Sequence, residues 1–432
     1  MSAETKTGAY IAGFFFILYL VTAGGHFYSG DGATMYAVAR SIVLHGTTAV
    51  EGGYSLEGVD GCTYAKYGLG QSLTALPLFA IGYYVGEMIG DLGTPLSQLA
   101  VSLFNVPVSA LICVLVFMAG LELGYPRSTA SSLALLYGTA TLAWPYSGYF
   151  FSHPLNGLCI LGAVLLSIRY RSRPSLLALA GASFLLGYSA LTRPIFVFVF
   201  PLVLLYLFDR RPGRWPRKAV TWPALFGPFS VFIAAICVYN YARFRNLFQF
   251  GYEGEGFTTP LLSGLAVLLV HPAKSFLLYN PPALLGLPAL LLLSRKHRRE
   301  SMLFIALFLA ILLIHAKWHL PEGGLCWGPR LLFEAVPFVI LPLGMLWKNR
   351  TFKGALIVLW IAGVGMQIPG ALAFYKKSNP QSFLDTGMLW GNIRQILEGQ
   401  IDSFVVRHLG LWTAILAIPL LAVLLVRIRK LS

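Results

Sequence analysis

Charge is scarce in this chain. Only 11% of its 432 residues are Asp, Glu, Lys or Arg, against roughly 25% in a soluble globular protein, so water cannot be its only solvent. Acidic residues are the rarer sign, 17 against 32 basic ones, for a net charge of +15. In a soluble protein that excess would suggest nucleic acid. Here the Lys and Arg fall in short clusters between apolar runs, as cytoplasmic loops collect them, and no nucleic-acid partner is expected. Cysteine is sparse too. Of the five, Cys113, Cys159 and Cys237 lie inside apolar runs, where the thiol behaves as a small hydrophobe. Cys62 and Cys326 lie in polar segments and could pair if that compartment oxidises. No metal-ligand spacing is present, and no Gly-Lys-Ser/Thr loop, which argues against ATP coupling within the chain. The alternation of a membrane barrel is also missing, because the apolar runs are continuous.

What remains is 57% hydrophobic. A helix needs about 20 apolar residues to span the hydrocarbon core. Runs at 11–24, 101–121, 129–144, 155–168, 176–191, 194–207, 223–238, 283–293, 302–314, 331–346, 356–366 and 411–426 supply candidates. The expected fold is therefore an all-α integral membrane bundle of about 11–13 transmembrane helices. It reads as a single domain over 1–432, with no soluble C-terminal domain.

The basic clusters at 169–173, 210–218, 295–299, 348–353 and 427–430 are assigned to the cytoplasm. An uncleaved first helix then carries the chain outward, making 25–70 the first extracytoplasmic loop. Counting back from the 169–173 cluster puts 147–154 on the same outer side. Three apolar runs lie between, an odd number, so one does not cross. The segment 71–90, with Pro77, Tyr83, Tyr84 and Glu87, is the choice for an interfacial or re-entrant helix. The short run 261–270 is read as a second interfacial helix, and further outer segments fall at 239–274, 316–330 and 375–408. Both termini are then cytoplasmic, in an inner or plasma membrane.

Several outer segments carry a cation among aromatics and turn residues. The first loop opens on Asp31, which reads as an N-cap before Met35-Tyr36-Ala37 or as an active-site carboxylate, two compatible roles. It closes on Tyr64-Ala65-Lys66-Tyr67-Gly68-Leu69-Gly70, where Lys66 beside Tyr67 either snorkels to water or grips a phosphate. Arg193-Pro194, Arg243 in Asn240-Tyr241-Ala242-Arg243-Phe244, Lys274 and Arg330 repeat the theme. Such cations oppose the positive-inside bias and suit a phosphate. His153 and Glu253 are secondary candidates, with Glu255 beside the latter on a glycine-rich turn.

In their order along the chain, Asp31, Lys66-Tyr67-Gly68-Leu69-Gly70, Phe151-Ser152-His153, Leu191-Thr192-Arg193-Pro194, the Asn240–Phe244 pentapeptide and Trp327-Gly328-Pro329-Arg330 resemble the GT-C class of membrane glycosyltransferases. The likeness is to the branch near the protein mannosyltransferases and lipid A aminoarabinose transferases. It implies an inverting transfer of a sugar from a polyprenyl-phosphate donor to a glycan, lipid or protein acceptor at the extracytoplasmic face. It also implies Asp31 as the first-loop carboxylate, with Lys66, Tyr67, Arg193, Lys274 and Arg330 at the donor phosphate. His153, Arg243 and Glu253 are further candidates. The chain departs from the family in having Gly32 after Asp31, where many relatives have a second carboxylate. That departure leaves a divalent metal open, and no cofactor is assigned. A transporter or flippase would place paired half-helices and charges deep in the spans, whereas these charges gather at one face. An O-antigen ligase or polymerase using the same lipid carriers is the other alternative.

Overall fold

The computed structural model describes residues 2–208, 220–374 and 385–431. The described part is helical except for a small hairpin, in which Ser55–Glu57 pairs antiparallel with Thr63–Ala65. Among the described residues, seven helices are long and apolar enough to cross a membrane. They are Ala3–Thr22, Gly70–Gly90, Gly93–Glu122, Thr221–Phe244, Arg298–Lys317, Arg350–Leu372 and Leu411–Leu431. Leu176–Thr192 and Pro194–Leu207 are shorter apolar helices. The chain is an all-α polytopic membrane protein, as its composition requires. The basic cluster at 210–218 and the start of the segment 375–408 lie outside the described residues.

One expectation changes. The apolar run 331–346 is not one helix, because Pro337 and Pro342 each remove a backbone donor and crowd the preceding turn. It forms three short pieces, Arg330–Ala335, Val336–Ile340 and Leu341–Met345, the first and last of them 3-10 turns. Nearly all of it is buried, the condition under which irregular backbone is tolerated at membrane depth. The pairing left open for Cys62 and Cys326 is not formed, since all five cysteines are free thiols. The segment expected as an interfacial helix forms one 21-residue helix, Gly70–Gly90, and 261–270 forms the nine-residue Leu261–Leu269.

The chain divides into two compact units. One comprises Met1–Gly24, Asn105–Gly148 and Gly256–Ser432. Within it, Ala3–Thr22 packs on Asn105–Glu122 and Leu411–Leu431, and Tyr19 donates to the Gly138 carbonyl at 2.9 Å. Its polar core is centred on the fully buried Trp327, whose indole donates to Gln367 at 3.1 Å while its carbonyl accepts from Tyr146 at 2.8 Å.

The other unit comprises Gly25–Phe104 and Tyr149–Glu255. It contains Asp31, Lys66, Tyr67, His153, Arg193, Arg243 and Glu253. Leu176–Thr192 packs between Ser152–Ser172 and Thr221–Phe244, joined by Ser189 donating to Asn156 at 2.6 Å. Gly30–His45 leans on the pair Gly70–Gly90 and Gly93–Ser102. Ser72 donates to the Met35 carbonyl at 2.8 Å, and Tyr36 bonds Ser97 at 2.8 Å. The pair itself meets at Gly82, where a Cβ would lie 2.7 Å from Ser97 Cα. Gly82→Val should therefore prise the two helices apart, costing about 1–3 kcal/mol as overpacking does. The check is a melting curve of the detergent-solubilised protein, and an unaltered midpoint would refute the contact.

Candidate functional site

The helix Gly30–His45 begins with Ser29, whose hydroxyl accepts from the Gly32 N–H at 3.4 Å, and ends at Gly46 with φ +66. Ser29 is thus the cap that Asp31 was expected to be. Asp31 instead sits half-buried in the first turn, where the helix dipole favours its ionised form. Gly32 has a packing reason. A Cβ there would come within 2.9 Å of the Phe150 carbonyl oxygen, so a second carboxylate beside Asp31 has no room. Tyr54 lies over the start of the same helix, with its backbone N–H on Thr34 Oγ1 at 3.0 Å and its ring where a Gly30 side chain would stand.

Lys66 leaves the hairpin strand Thr63–Ala65 with its N–H on the Tyr54 carbonyl at 3.1 Å. Its ammonium pairs with Glu255 at 2.6 Å, both side chains about four-fifths buried at 18% and 22% exposure. Three aromatic faces surround the charge: Tyr54 at 4.9 Å, Tyr67 at 5.7 Å and Tyr252 at 5.8 Å from ring centre. Beyond Lys66, the Gly68 and Gly70 positions lie against the end of the helix Leu176–Thr192. A Cβ on Gly68 would sit 2.5 Å from Leu191 O, and one on Gly70 would sit 2.2 Å from Thr192 Oγ1. The two motifs read separately in the sequence are one contact, which sets Lys66 beside Arg193.

Arg193 reaches His153, with Nη1 at 2.7 Å from Nε2. His153 is only 1% exposed, and its Nδ1 also lies 3.2 Å from the same Arg193 nitrogen, so the ring edge lies against the guanidinium. Arg193 also stacks on Phe196 at 5.6 Å. Arg243, 2% exposed, spends its guanidinium on backbone and amide groups. It donates to the Ala65 carbonyl, to Asn240 Oδ1 at 2.8 Å and to the Tyr239 carbonyl at 3.4 Å, with its plane 3.7 Å over the Tyr239 ring. Its part in the site is to clamp the hairpin that carries Lys66.

Tyr252 joins these groups. Gly251, at φ +82, packs against Lys66 Cα, where a Cβ would meet it at 2.9 Å, and so delivers the next residue into the cluster. Burial raises the Tyr252 phenol above its ordinary range. Arg193 and, more weakly, Arg243 oppose that rise, while Asp31 and Glu255 add to it. Asp31, Arg193, Glu255 and Arg243 are therefore all electrostatic neighbours of one hydroxyl. Sequence reasoning did not single out Tyr54 or Tyr252, and it left Glu253 and Glu255 together on one turn. Glu253 is exposed, whereas Glu255 turns inward to Lys66. The glycines at 251, 254 and 256 signalled a shaped loop, but not which of its acids points in.

The remaining candidates belong to the other unit. Lys274 is 3% exposed, and its ammonium donates to Gly324 O at 3.0 Å, Cys326 O at 2.8 Å and Cys326 Sγ at 3.2 Å. All three hydrogens hold the loop 322–328, which makes Lys274 a staple of that loop. Arg330 is half-buried and packs against Gly323. Among the described residues, no group of three or more His, Cys, Asp or Glu could hold a metal ion. Gly68→Ala should cost about 1–3 kcal/mol, while Gly227→Ala, whose Cβ would meet nothing within 4 Å, should not. Equal melting midpoints for the two variants would refute the close approach.

No family model and no curated protein sequence matches the chain. Solved structures do. ArnT from Cupriavidus metallidurans bound to undecaprenyl phosphate superposes with a TM-score of 0.61 at 13% identity, over 98% of this chain and 74% of that one. Its apo state gives 0.57 at 14%, over the same shares. The archaeal oligosaccharyltransferase AglB from Archaeoglobus fulgidus, in complex with an inhibitory peptide and a dolichol-phosphate, gives 0.53 at 9%, over 88% of this chain and 56% of that one. The shared architecture is the GT-C fold.

Proposed function

We propose that this GT-C-fold chain is an inverting glycosyltransferase that moves a sugar from a polyprenyl-phosphate donor to an acceptor at the extracytoplasmic face of the cell membrane. The observation that carries the reading is the gathering of Asp31, Lys66 and Arg193 around Tyr252 within one unit. One carboxylate and two cations are the groups that a single displacement at a phosphate-linked sugar calls for. The fold likeness to proteins solved with undecaprenyl phosphate and dolichol-phosphate supports the donor class.

In the proposed reaction, Asp31 takes the proton of the acceptor nucleophile. The nucleophile's electron pair forms the new bond at the sugar's anomeric carbon, on the face opposite the phosphate. The carbon–oxygen bond to phosphate breaks with its electrons on that oxygen, and polyprenyl phosphate leaves. Arg193 and Lys66 stabilise the charge that grows there. His153 fixes the direction of the Arg193 fork.

Outer placement of the site is supported by contacts that constrain topology. A Gly32 Cβ would meet Phe150 O, and the Phe104 and Phe150 rings are 5.9 Å apart. Positions 32, 104 and 150 therefore share one face. The pair Gly70–Gly90 and Gly93–Ser102 then leaves and returns on that face. Asn105–Glu122 crosses inward and the segment 127–147 crosses back out, which keeps both termini cytoplasmic. In a Cys62→Ser background, Gly124→Cys should resist impermeant maleimide added to intact cells, whereas Ser147→Cys should react or be shielded on the outer side. Labelling of Gly124→Cys from outside would overturn this topology.

The chemical test uses the purified chain in nanodiscs, with undecaprenyl phosphate as probe. Asp31→Asn should retain binding yet lose transfer by roughly a hundred- to ten-thousand-fold, the usual contribution of a general base. Surface glycans and lipids compared by mass with and without the gene would supply the acceptor for the transfer assay. Arg193→Ala should weaken binding by about ten-fold or more, since charge-assisted bonds to phosphate are the strong ones. Normal turnover in Asp31→Asn would remove it as base, and unchanged affinity in Arg193→Ala would remove it from the phosphate.

A further inference from the structure

Lys66 is not open to an incoming anion as it stands. Its ammonium is enclosed by the faces of Tyr54, Tyr67 and Tyr252, all within 5.8 Å, and the remaining direction is taken by Glu255 at 2.6 Å. Aromatic faces attract a cation and repel an anion, so the direction that suits a phosphate oxygen is the one the Glu255 carboxylate already occupies. Glu255 is carried on a glycine-rich loop, with glycines at 251, 254 and 256, the first two at φ +82 and +76. That loop is tied to Lys66 by two contacts, the ion pair and the close packing of Gly251 on Lys66 Cα.

We propose that Glu255 is a positioning residue that exchanges with the donor phosphate at Lys66. This rests on the reading of Lys66 as a phosphate-binding residue. On arrival the phosphate displaces Glu255 from the ammonium, and the loop 251–256 shifts with it. When the sugar has gone, the polyprenyl phosphate carries more negative charge than the donor did and would hold Lys66 more tightly. Competition from Glu255 for the same ammonium weakens that hold and speeds release. Glu255 thus keeps product from holding the site, at the cost of weaker binding for every phosphate that enters. The pairing also gives Lys66 a partner while the site is empty, which a cation four-fifths buried needs.

The experiment measures binding of undecaprenyl phosphate, and of undecaprenol as the phosphate-free control, to the full chain in nanodiscs. Glu255→Gln keeps the shape of the side chain and removes its charge. It should bind undecaprenyl phosphate roughly three- to ten-fold more tightly, the scale of a partly buried ion pair, with undecaprenol binding unaltered. In turnover it should show a lower KM for the donor lipid and a correspondingly lower inhibition constant for undecaprenyl phosphate. In the Lys66→Met background the same substitution should bring no gain. Glu255→Ala should follow Glu255→Gln, so poor folding of one variant leaves the other to decide. Equal or weaker undecaprenyl phosphate binding in the Glu255 variants, with Lys66→Met weakened, would overturn the exchange alone. Unchanged binding in Lys66→Met would overturn the donor-phosphate reading beneath it.

Discussion

The chain after Lys66 lies directly on the carbonyls of Leu191 and Thr192, and the geometry of the candidate site depends on that contact. Two residues without side chains, Gly68 and Gly70, make it possible. Lys66 emerges from one side of the contact and Arg193 from the other, so their separation is fixed by backbone packing and not by two long side chains finding each other. Arg243 reinforces the arrangement from the end of Thr221–Phe244 by gripping the Ala65 carbonyl, one residue before Lys66. A catalytic constellation has to be held within a fraction of an ångström. Here close backbone approach and a buried guanidinium clamp supply that rigidity.

Low dielectric near a membrane makes each unpaired charge expensive, and the site answers with pairing of several kinds. Lys66 has Glu255, Arg193 has the His153 imidazole, and Arg243 has carbonyls, an amide and two aromatic faces. These three cations and Lys274 therefore differ in availability. Arg243 and Lys274 are spent on structure. Arg193 keeps part of its fork beyond His153, and Lys66 holds a partner that another anion could replace. Counting basic residues on the outer face cannot rank them in this way, because every one of them looks alike in the sequence.

Several candidate residues read from the sequence nonetheless fall together. Asp31, Lys66, Arg193 and His153 were found as polar residues placed where a hydropathy argument forbids idle ones, and all four fall in one unit. The all-α membrane fold followed from scarce charge and continuous apolar runs. What could not be read was side-chain direction within a loop. Glu253 and Glu255 are chemically identical and two residues apart, and only the positive φ values of Gly251 and Gly254 decide which faces Lys66. Tyr54 was equally hidden, since its place over Gly30 and Lys66 comes from the hairpin register. Pro337 and Pro342 were visible in the run 331–346, but hydropathy summed over them and gave a helix that the backbone does not form.

Gly32 ties the packing to the chemistry. The start of Gly30–His45 is pressed against the Phe150 carbonyl, two residues before the helix that presents His153. The same contact that seats the start of Asp31's helix beside the segment leading to His153 leaves no space for a side chain at position 32. A neighbouring acid is thereby traded for a close fit between the carboxylate's helix and the cation's support. The second carboxylate of the cluster then comes from a different element, Glu255 on a glycine-rich loop, where it pairs with a cation instead of repelling Asp31 from the next residue. One carboxylate rides on a rigid helix start and the other on a pliable loop. On the proposed reading, that division suits a fixed base and an exchangeable counter-ion.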